Sequence, residues 1–206
     1  MIRIWGRLNS INVQKVVWTA RELGLAFERI DAGGPHGIVR TPQFLTLNPM
    51  GQIPVLDDDG FVLWESNAIV RYLCAKHGAG TLYPGSLTDR ADADRWMDWQ
   101  ATELSRAMGP AFMQLVRTPA DARRADLIDD SARKTEPLMA ILDAQLAGRD
   151  YVCGERLTMA DLVLGCAAHR WLGLPLTRTP RPNVEAWHAR LRARPAAAEV
   201  LTLPLT

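Results

Sequence analysis

This chain is short of the residue types that several kinds of protein depend on. It has three cysteines in 206 residues, Cys74, Cys153 and Cys166. They are odd in number, far apart and never in a CxxC spacing. That excludes a disulfide framework and a cysteine-built zinc site, and it fits a reducing cytosol. The four histidines, His36, His77, His169 and His188, fall in unrelated segments with no HExxH or HxxxH pair, so no metal is expected. Charge of one sign is missing too: 24 Lys plus Arg stand against 23 Asp plus Glu. Such a balance gives no field to recruit nucleic acid or anionic lipid. No apolar run approaches the roughly 20 residues that cross a membrane. The first ten residues contain no apolar stretch of the signal-peptide kind. A cytoplasmic protein is therefore expected. What the chain does have is an ordinary globular share of apolar residues, 48%, enough for a proper core.

The first eighty residues alternate strand and helix signals. Ile2-Arg3-Ile4-Trp5 reads as a short strand. After a polar loop, Val13, Val16, Val17, Ala20 and Leu23 recur at helical spacing, and Gly24 is a stop signal. Phe27-Glu28-Arg29-Ile30 is a second strand, and a right-handed crossover makes the two parallel. Residues 31–52 are rich in Gly and Pro, with a short helix predicted over 43–47. Two strand-like runs, 53–56 and 61–64, flank Asp57-Asp58-Asp59-Gly60, a hairpin signal. Ser66 is then the expected cap of a helix running to Gly78. Residues 78–87 read as a linker. Beyond them strand signals stop. Helical patterns cover 88–116, which Pro110 should bend or break, then 120–146 with a kink at Pro137, 158–172, 182–194 and 196–201. The prediction is α/β plus all-α, with one domain over 1–80 and a helical one over 88–206.

Two segments resemble a known family. Asn48-Pro49-Met50-Gly51-Gln52-Ile53-Pro54-Val55-Leu56, followed by Leu63-Trp64-Glu65-Ser66-Asn67-Ala68-Ile69, is similar to the NPxGxxPxL…ExxAI stretch of cytosolic glutathione S-transferases. Val152-Cys153-Gly154-Glu155-Arg156-Leu157-Thr158-Met159-Ala160-Asp161 resembles the family's helical-domain motif. Order and separation match, and the resemblance spans essentially the whole chain. It is of a bacterial, theta- or beta-like type with Ser and Asn in the catalytic loop. It implies a thioredoxin-like first domain that binds glutathione as co-substrate, no further cofactor, a helical second domain, and a homodimer.

Within that resemblance the peptide before Pro54 is cis and Ile53 offers its backbone to the cysteinyl unit of glutathione. Gln52 matches a contact position. Glu65 and Ser66 stand at a strand-to-helix junction. A helix N-terminus holds a carboxylate well. Ser66 adds a hydroxyl donor and Glu65 a carboxylate, so the pair complements the γ-glutamyl zwitterion. Arg40, with His36, borders the glycyl end; Arg7 and Lys15 flank the catalytic loop and read as solvated charges.

The candidate catalytic residues are Ser10 and Asn12, in the loop between the first strand and first helix. A free thiol with a pKa of about 8.5 is only a few per cent ionised at neutral pH. Lowering it by two units takes ~2.7 kcal/mol of preferential interaction. One charge-assisted hydrogen bond supplies ~1.5–3 kcal/mol, and the helix dipole adds to it. No Tyr or Cys precedes Tyr72, so the Tyr- and Cys-dependent types of the family are disfavoured. Either Ser10 or Asn12 can serve as donor. Trp96, Trp99, Met108 and Phe112 fall on the helix that walls the electrophile pocket in the family, although core packing is the commoner fate of such residues. Thr158 and Asp161 have capping-box spacing and are assigned to folding.

The expected activity is transfer of the glutathione thiolate to a small, largely apolar electrophile. The alternatives are a glutathione-dependent isomerase or dehalogenase, and a non-catalytic binding protein of the same fold.

Overall fold

In the computed structural model, which describes all 206 residues, strands occur only between residues 2 and 64. Strand β1 (Ile2–Trp5) buries Ile2 and Ile4 and exposes Arg3, the period of a half-buried strand. It leads into α1 (Ile11–Glu22) and then β2 (Phe27–Ile30), which lies parallel to β1 as a crossover requires. The short α2 (Pro42–Leu47) opens on a proline, whose missing N–H costs nothing there. The Thr41 hydroxyl accepts the Phe44 N–H at 3.3 Å. Strands β3 (Val55–Asp58) and β4 (Phe61–Trp64) form an antiparallel hairpin. Its two-residue turn, Asp59-Gly60, has positive φ at both positions, 51° and 93°, which suits the twist of the flanking strands. The sheet order is β2-β1-β3-β4. β3 starts at Val55 rather than at the expected residue 53, because Pro54 has no N–H to give the ladder. Helix α3 (Ser66–His77) follows. Its cap is Glu65, and Ser66 is the first helical residue rather than the cap.

From Leu87 onward the regular elements are helical. The single long helix expected over 88–116 is four pieces. They are α4 (Leu87–Trp99), a π-helical turn Gln100–Leu104, α5 (Ser105–Phe112) and a second π-helical turn Met113–Arg117. The first interruption precedes Pro110, which lies inside α5. The Ser131 hydroxyl of the neighbouring helix supports the backbone beside this proline. It accepts the Ala111 N–H at 3.1 Å and donates to the Ala107 carbonyl. Helix α6 (Ala125–Leu146) begins after a 3₁₀ turn, later than residue 120, and carries Pro137 inside it. Helices α7 (Met159–Gly173), α8 (Pro182–Arg192) and α9 (Ala198–Leu201) complete the chain.

One core runs through both halves. A cluster of 41 buried residues extends from Ile2 and Ile4 through α1 and α7 to Leu201. Helix α1 buries nine of its twelve residues, because α3 covers one side and α7 another. The close approach of α1 to α7 depends on Gly165. A Cβ there would lie 2.7 Å from Leu191 Cδ1 and 2.9 Å from the ring of Trp18. Helix α7 starts in the expected capping box of Thr158 and Asp161. Asp161 is fully buried and accepts four hydrogen bonds: from the Val152 N–H at 2.8 Å, the Thr158 N–H at 2.9 Å, the Thr158 hydroxyl at 3.2 Å and the Trp187 indole N–H at 3.0 Å.

Candidate active site

The N-termini of α1 and α3 open into one cavity of about 450 Å³, closed on the far side by the helical half. Asn12, Glu65 and Ser66 line it together. Glu65 is exposed and held at φ 71°, ψ 109°, a conformation uncommon for a residue with a side chain. Such positions gather at functional sites, where the surrounding structure fixes them. Ser66 is 6% exposed, and its hydroxyl has no hydrogen-bond partner within the chain although it borders the cavity. A free hydroxyl beside the free N–H groups of a helix start is a ready carboxylate site.

Ser10 is the N-cap of α1, half-buried, and its side chain makes no capping bond. Its hydroxyl is therefore available, but Ser10 lies outside the lining of this cavity, whereas Asn12 is part of it. The Ile53–Pro54 peptide is cis, as the resemblance implied. Ile53 lies outside the strand ladder and takes no part in the backbone hydrogen bonds of loops and turns. Gln52 is exposed, with its carbonyl accepting from the Asn48 amide at 2.9 Å. Arg40 is exposed and packs on Gly51, away from the cavity lining, and His36 faces Asp31 at 3.8 Å.

The helical wall differs from the expectation. Trp96, Met108 and Phe112 are buried in the core, and Trp99 packs edge-on against Trp96 at 5.2 Å. None of the four lines this cavity; Asp98, Ala101, Ser105 and Arg170 do. Residues 97, 100, 104, 108 and 112 share the inward stripe at helical spacing, so the intervening, smaller and more polar positions face the cavity.

Lys15 is the largest departure. It is 3% exposed, not a solvated charge. Its ammonium donates to Gln100 Oε1 at 2.8 Å and to Asn67 Oδ1 at 3.2 Å. Gln100 in turn donates to Ser105, and Asn67 donates to the Met97 carbonyl at 2.8 Å. These bonds tie α1 to α3 and to the first π-helical turn. Burial pushes the Lys15 pKa down to about 8, with the Arg170 charge adding to the fall and Glu65 opposing it. Arg71 joins α3 to α4 through Asp94 and Asp98, and these carboxylates hold its pKa up against burial. Sequence reasoning named neither Arg170 nor the Asn67–Gln100 pair. The available signal was Lys15 itself, an ammonium set among the apolar positions of α1.

Fold and cavity define the class first: a thioredoxin-like domain with a mixed four-stranded sheet, carrying a helical domain that walls its cleft. The comparisons with known proteins agree. Residues 9–76 match the glutathione S-transferase N-terminal domain and residues 102–195 the C-terminal domain. Glutathione S-transferase GstB of Escherichia coli is 42% identical over the full length of both chains. Glutathione S-transferase 3 of Zea mays is 32% identical, over 99% of this chain and 95% of its own. The structure of the theta class glutathione S-transferase from Xanthomonas axonopodis pv. citri with glutathione bound superposes with a TM-score of 0.96. It shares 42% identity and covers 100% of this chain and 99% of its own. The chain belongs to the glutathione S-transferase family.

Proposed function

We propose that the protein binds glutathione in this cavity, ionises its thiol and transfers the sulfur to a small electrophile. Carrying the reading is the cavity itself, which puts the free hydroxyl of Ser66, the carboxylate of Glu65 and the N-terminus of α1 on one opening. The γ-glutamyl carboxylate meets Ser66 and the first N–H groups of α3, and its ammonium meets Glu65. The unpaired backbone of Ile53, beside Pro54, takes the cysteinyl unit, with Gln52 and Arg40 bordering the tripeptide. The sulfur then lies at the start of α1. There Ser10 or Asn12 donates a hydrogen bond, and the helix dipole and the Lys15 ammonium favour the thiolate. In the transfer a C–S bond forms as the bond to the leaving group breaks, and the leaving group departs with the electron pair. Glutathione is a co-substrate, and the proposal includes no further cofactor. It takes residues 1–80 as the glutathione-binding domain and 88–206 as the electrophile wall, in a cytoplasmic homodimer of the family's kind.

The test is the thiolate absorbance of bound glutathione against pH. If Ser10 is the donor, Ser10→Ala moves the titration toward that of free glutathione and Asn12→Ala does not; if Asn12 is the donor, the outcome reverses. If both contribute, each single loss is partial and the double variant is the most impaired. Identical titrations in all of them remove both residues and leave the α1 backbone N–H groups as the stabiliser. Failure of the wild type to bind glutathione in a calorimetric titration overturns the reading.

A further inference from the structure

Three arginines lie near one another beside this cleft, and no carboxylate of the chain pairs with any of them. Arg7 comes from the β1–α1 loop, three residues before Ser10. Arg117 ends the second π-helical turn, and Arg170 lies on α7 and lines the cavity. Arg117 and Arg170 both sit over the ring of Phe112, with guanidinium carbons 5.6 and 3.9 Å from its centroid. Neither guanidinium makes a hydrogen bond or an ion pair in the chain. The Arg7 guanidinium donates only to Asn9 Oδ1, at 2.8 Å, and its Nε is buried with no partner. The charges disfavour one another. Burial and then the Arg117 charge lower the pKa of Arg7; burial, then Arg117, and to a lesser degree Arg7 bring that of Arg170 down to about 10. Uncompensated cations drawn partly out of water are costly unless an anion joins them. A guanidinium fork matches a carboxylate with two parallel bonds. Phe112 offers two of the forks a ring face for cation–π contact.

We propose that the electrophile this enzyme takes carries a carboxylate, and that Arg117 and Arg170, stacked on Phe112, with Arg7 beside them, bind it. This rests on the transferase reading and narrows its substrate class: a small acid whose electrophilic carbon lies within reach of the sulfur at α1. On this reading Phe112 stays buried outside the cavity lining and serves as the platform beneath the cations.

The test compares a chlorodinitrobenzoate with the matching chlorodinitrobenzamide, two aryl chlorides that differ in the charge of one substituent. In each, the thiolate attacks the carbon bearing chlorine, the C–S bond forms, and chloride leaves with the electron pair. Rates are taken with the full chain at saturating glutathione and corrected for the uncatalysed reaction. The expected result is a kcat/KM higher for the benzoate by about tenfold or more, the range of a hydrogen bond to a charged group. In Arg117→Gln and in Arg170→Gln that preference falls to near parity, chiefly through KM for the benzoate. Arg117 is exposed at a helix end, so its variant folds even if that of the more buried Arg170 does not. Equal wild-type rates for the two substrates overturn the proposal. So does a rise in KM for glutathione in the variants, which would assign the cluster to the tripeptide. A shifted thiolate titration with equal losses on both substrates also overturns it, by assigning the cluster to the sulfur. No turnover of either compound, nor of neutral chlorodinitrobenzene, overturns the transferase reading and this one with it.

Discussion

Replacing Asp161 separates what holds the helical half together from what performs the chemistry. The carboxylate is fully buried at the start of α7, and its oxygens are the acceptors for three N–H groups and one hydroxyl. Alanine removes both oxygens. The N–H groups of Val152, Thr158 and Trp187 are then buried without an acceptor, at about 1–3 kcal/mol each. Even the lower end sums to about 3 kcal/mol. That is a large part of a typical stability of about 5–15 kcal/mol. Asp161→Asn divides the effect. The retained Oδ1 still serves Val152 and Trp187; the Thr158 N–H loses its acceptor, while the Thr158 hydroxyl can turn to accept from the new amide NH2, so the cost falls to about 1–3 kcal/mol. Urea denaturation of the three proteins measures both differences. For a chain of this size about 1 kcal/mol corresponds to ~2–4 °C in Tm, so heating gives an independent scale. Folded Asp161→Asn should keep its KM for glutathione, because Asp161 is not among the residues lining the cavity. Equal stability of all three proteins would refute the reasoning. So would an alanine variant of full stability that had lost turnover.

Ser66→Ala should weaken glutathione binding by roughly 1–3 kcal/mol in a calorimetric titration, the cost of one hydrogen bond to a charged group; an unchanged Kd in a folded variant removes Ser66 from the site. Gly165→Ala drives a methyl into the rigid Trp18 ring and Leu191, and should destabilise by about 1–3 kcal/mol of overpacking strain in urea. His188 is 7% exposed, and burial, then the His169 and Arg192 charges, lower its pKa to about 4. The unfolded chain takes that proton near pH 6.5 and the folded one does not, so stability should fall as the pH drops from about 6.5 toward 4, by about 3 kcal/mol in total. His188→Leu should flatten that part of the profile, and identical slopes in the two proteins would contradict it.

Elements whose sequence carried both periodicity and punctuation could be read from it. The β1–α1–β2 crossover, the Asp59-Gly60 hairpin and the Thr158–Asp161 box each combine a repeat with a residue type that the geometry demands. The π-helical turns could not be read. Gln100 and Leu104 keep helical spacing, and the extra residue in the turn reflects tertiary bonds such as Gln100 to Lys15. In the site, Glu65 and Ser66 were legible because a helix start must be followed by a helix, which the sequence shows. Arg170 was not, because nothing local distinguishes a cation facing solvent from one folded into a cleft between two halves, and Lys15 offered only its place among the apolar positions of α1. Only α1, packed against α3 and α7, makes that difference. Trp96 and Met108 erred the other way, because an aromatic or thioether stripe looks the same whether it meets a ligand or a neighbouring helix.

The burial of α1 on two sides bears on how such a chain can be recombined. Cut between α3 and α4, the first half would present to water the face of α1 that now meets α7, including Trp18. The second half would lose the surface against which Gly165 fits. The halves should therefore melt in one transition rather than two, which calorimetry of the full chain checks. A chimera that borrows its helical half from a relative inherits the same demand. It must bring a glycine where Gly165 stands and an amide where Gln100 meets Lys15, or accept a looser seam at the cleft where the chemistry is done. Change in the helical half is thus easiest at exposed positions such as Arg117, which lie outside the buried core.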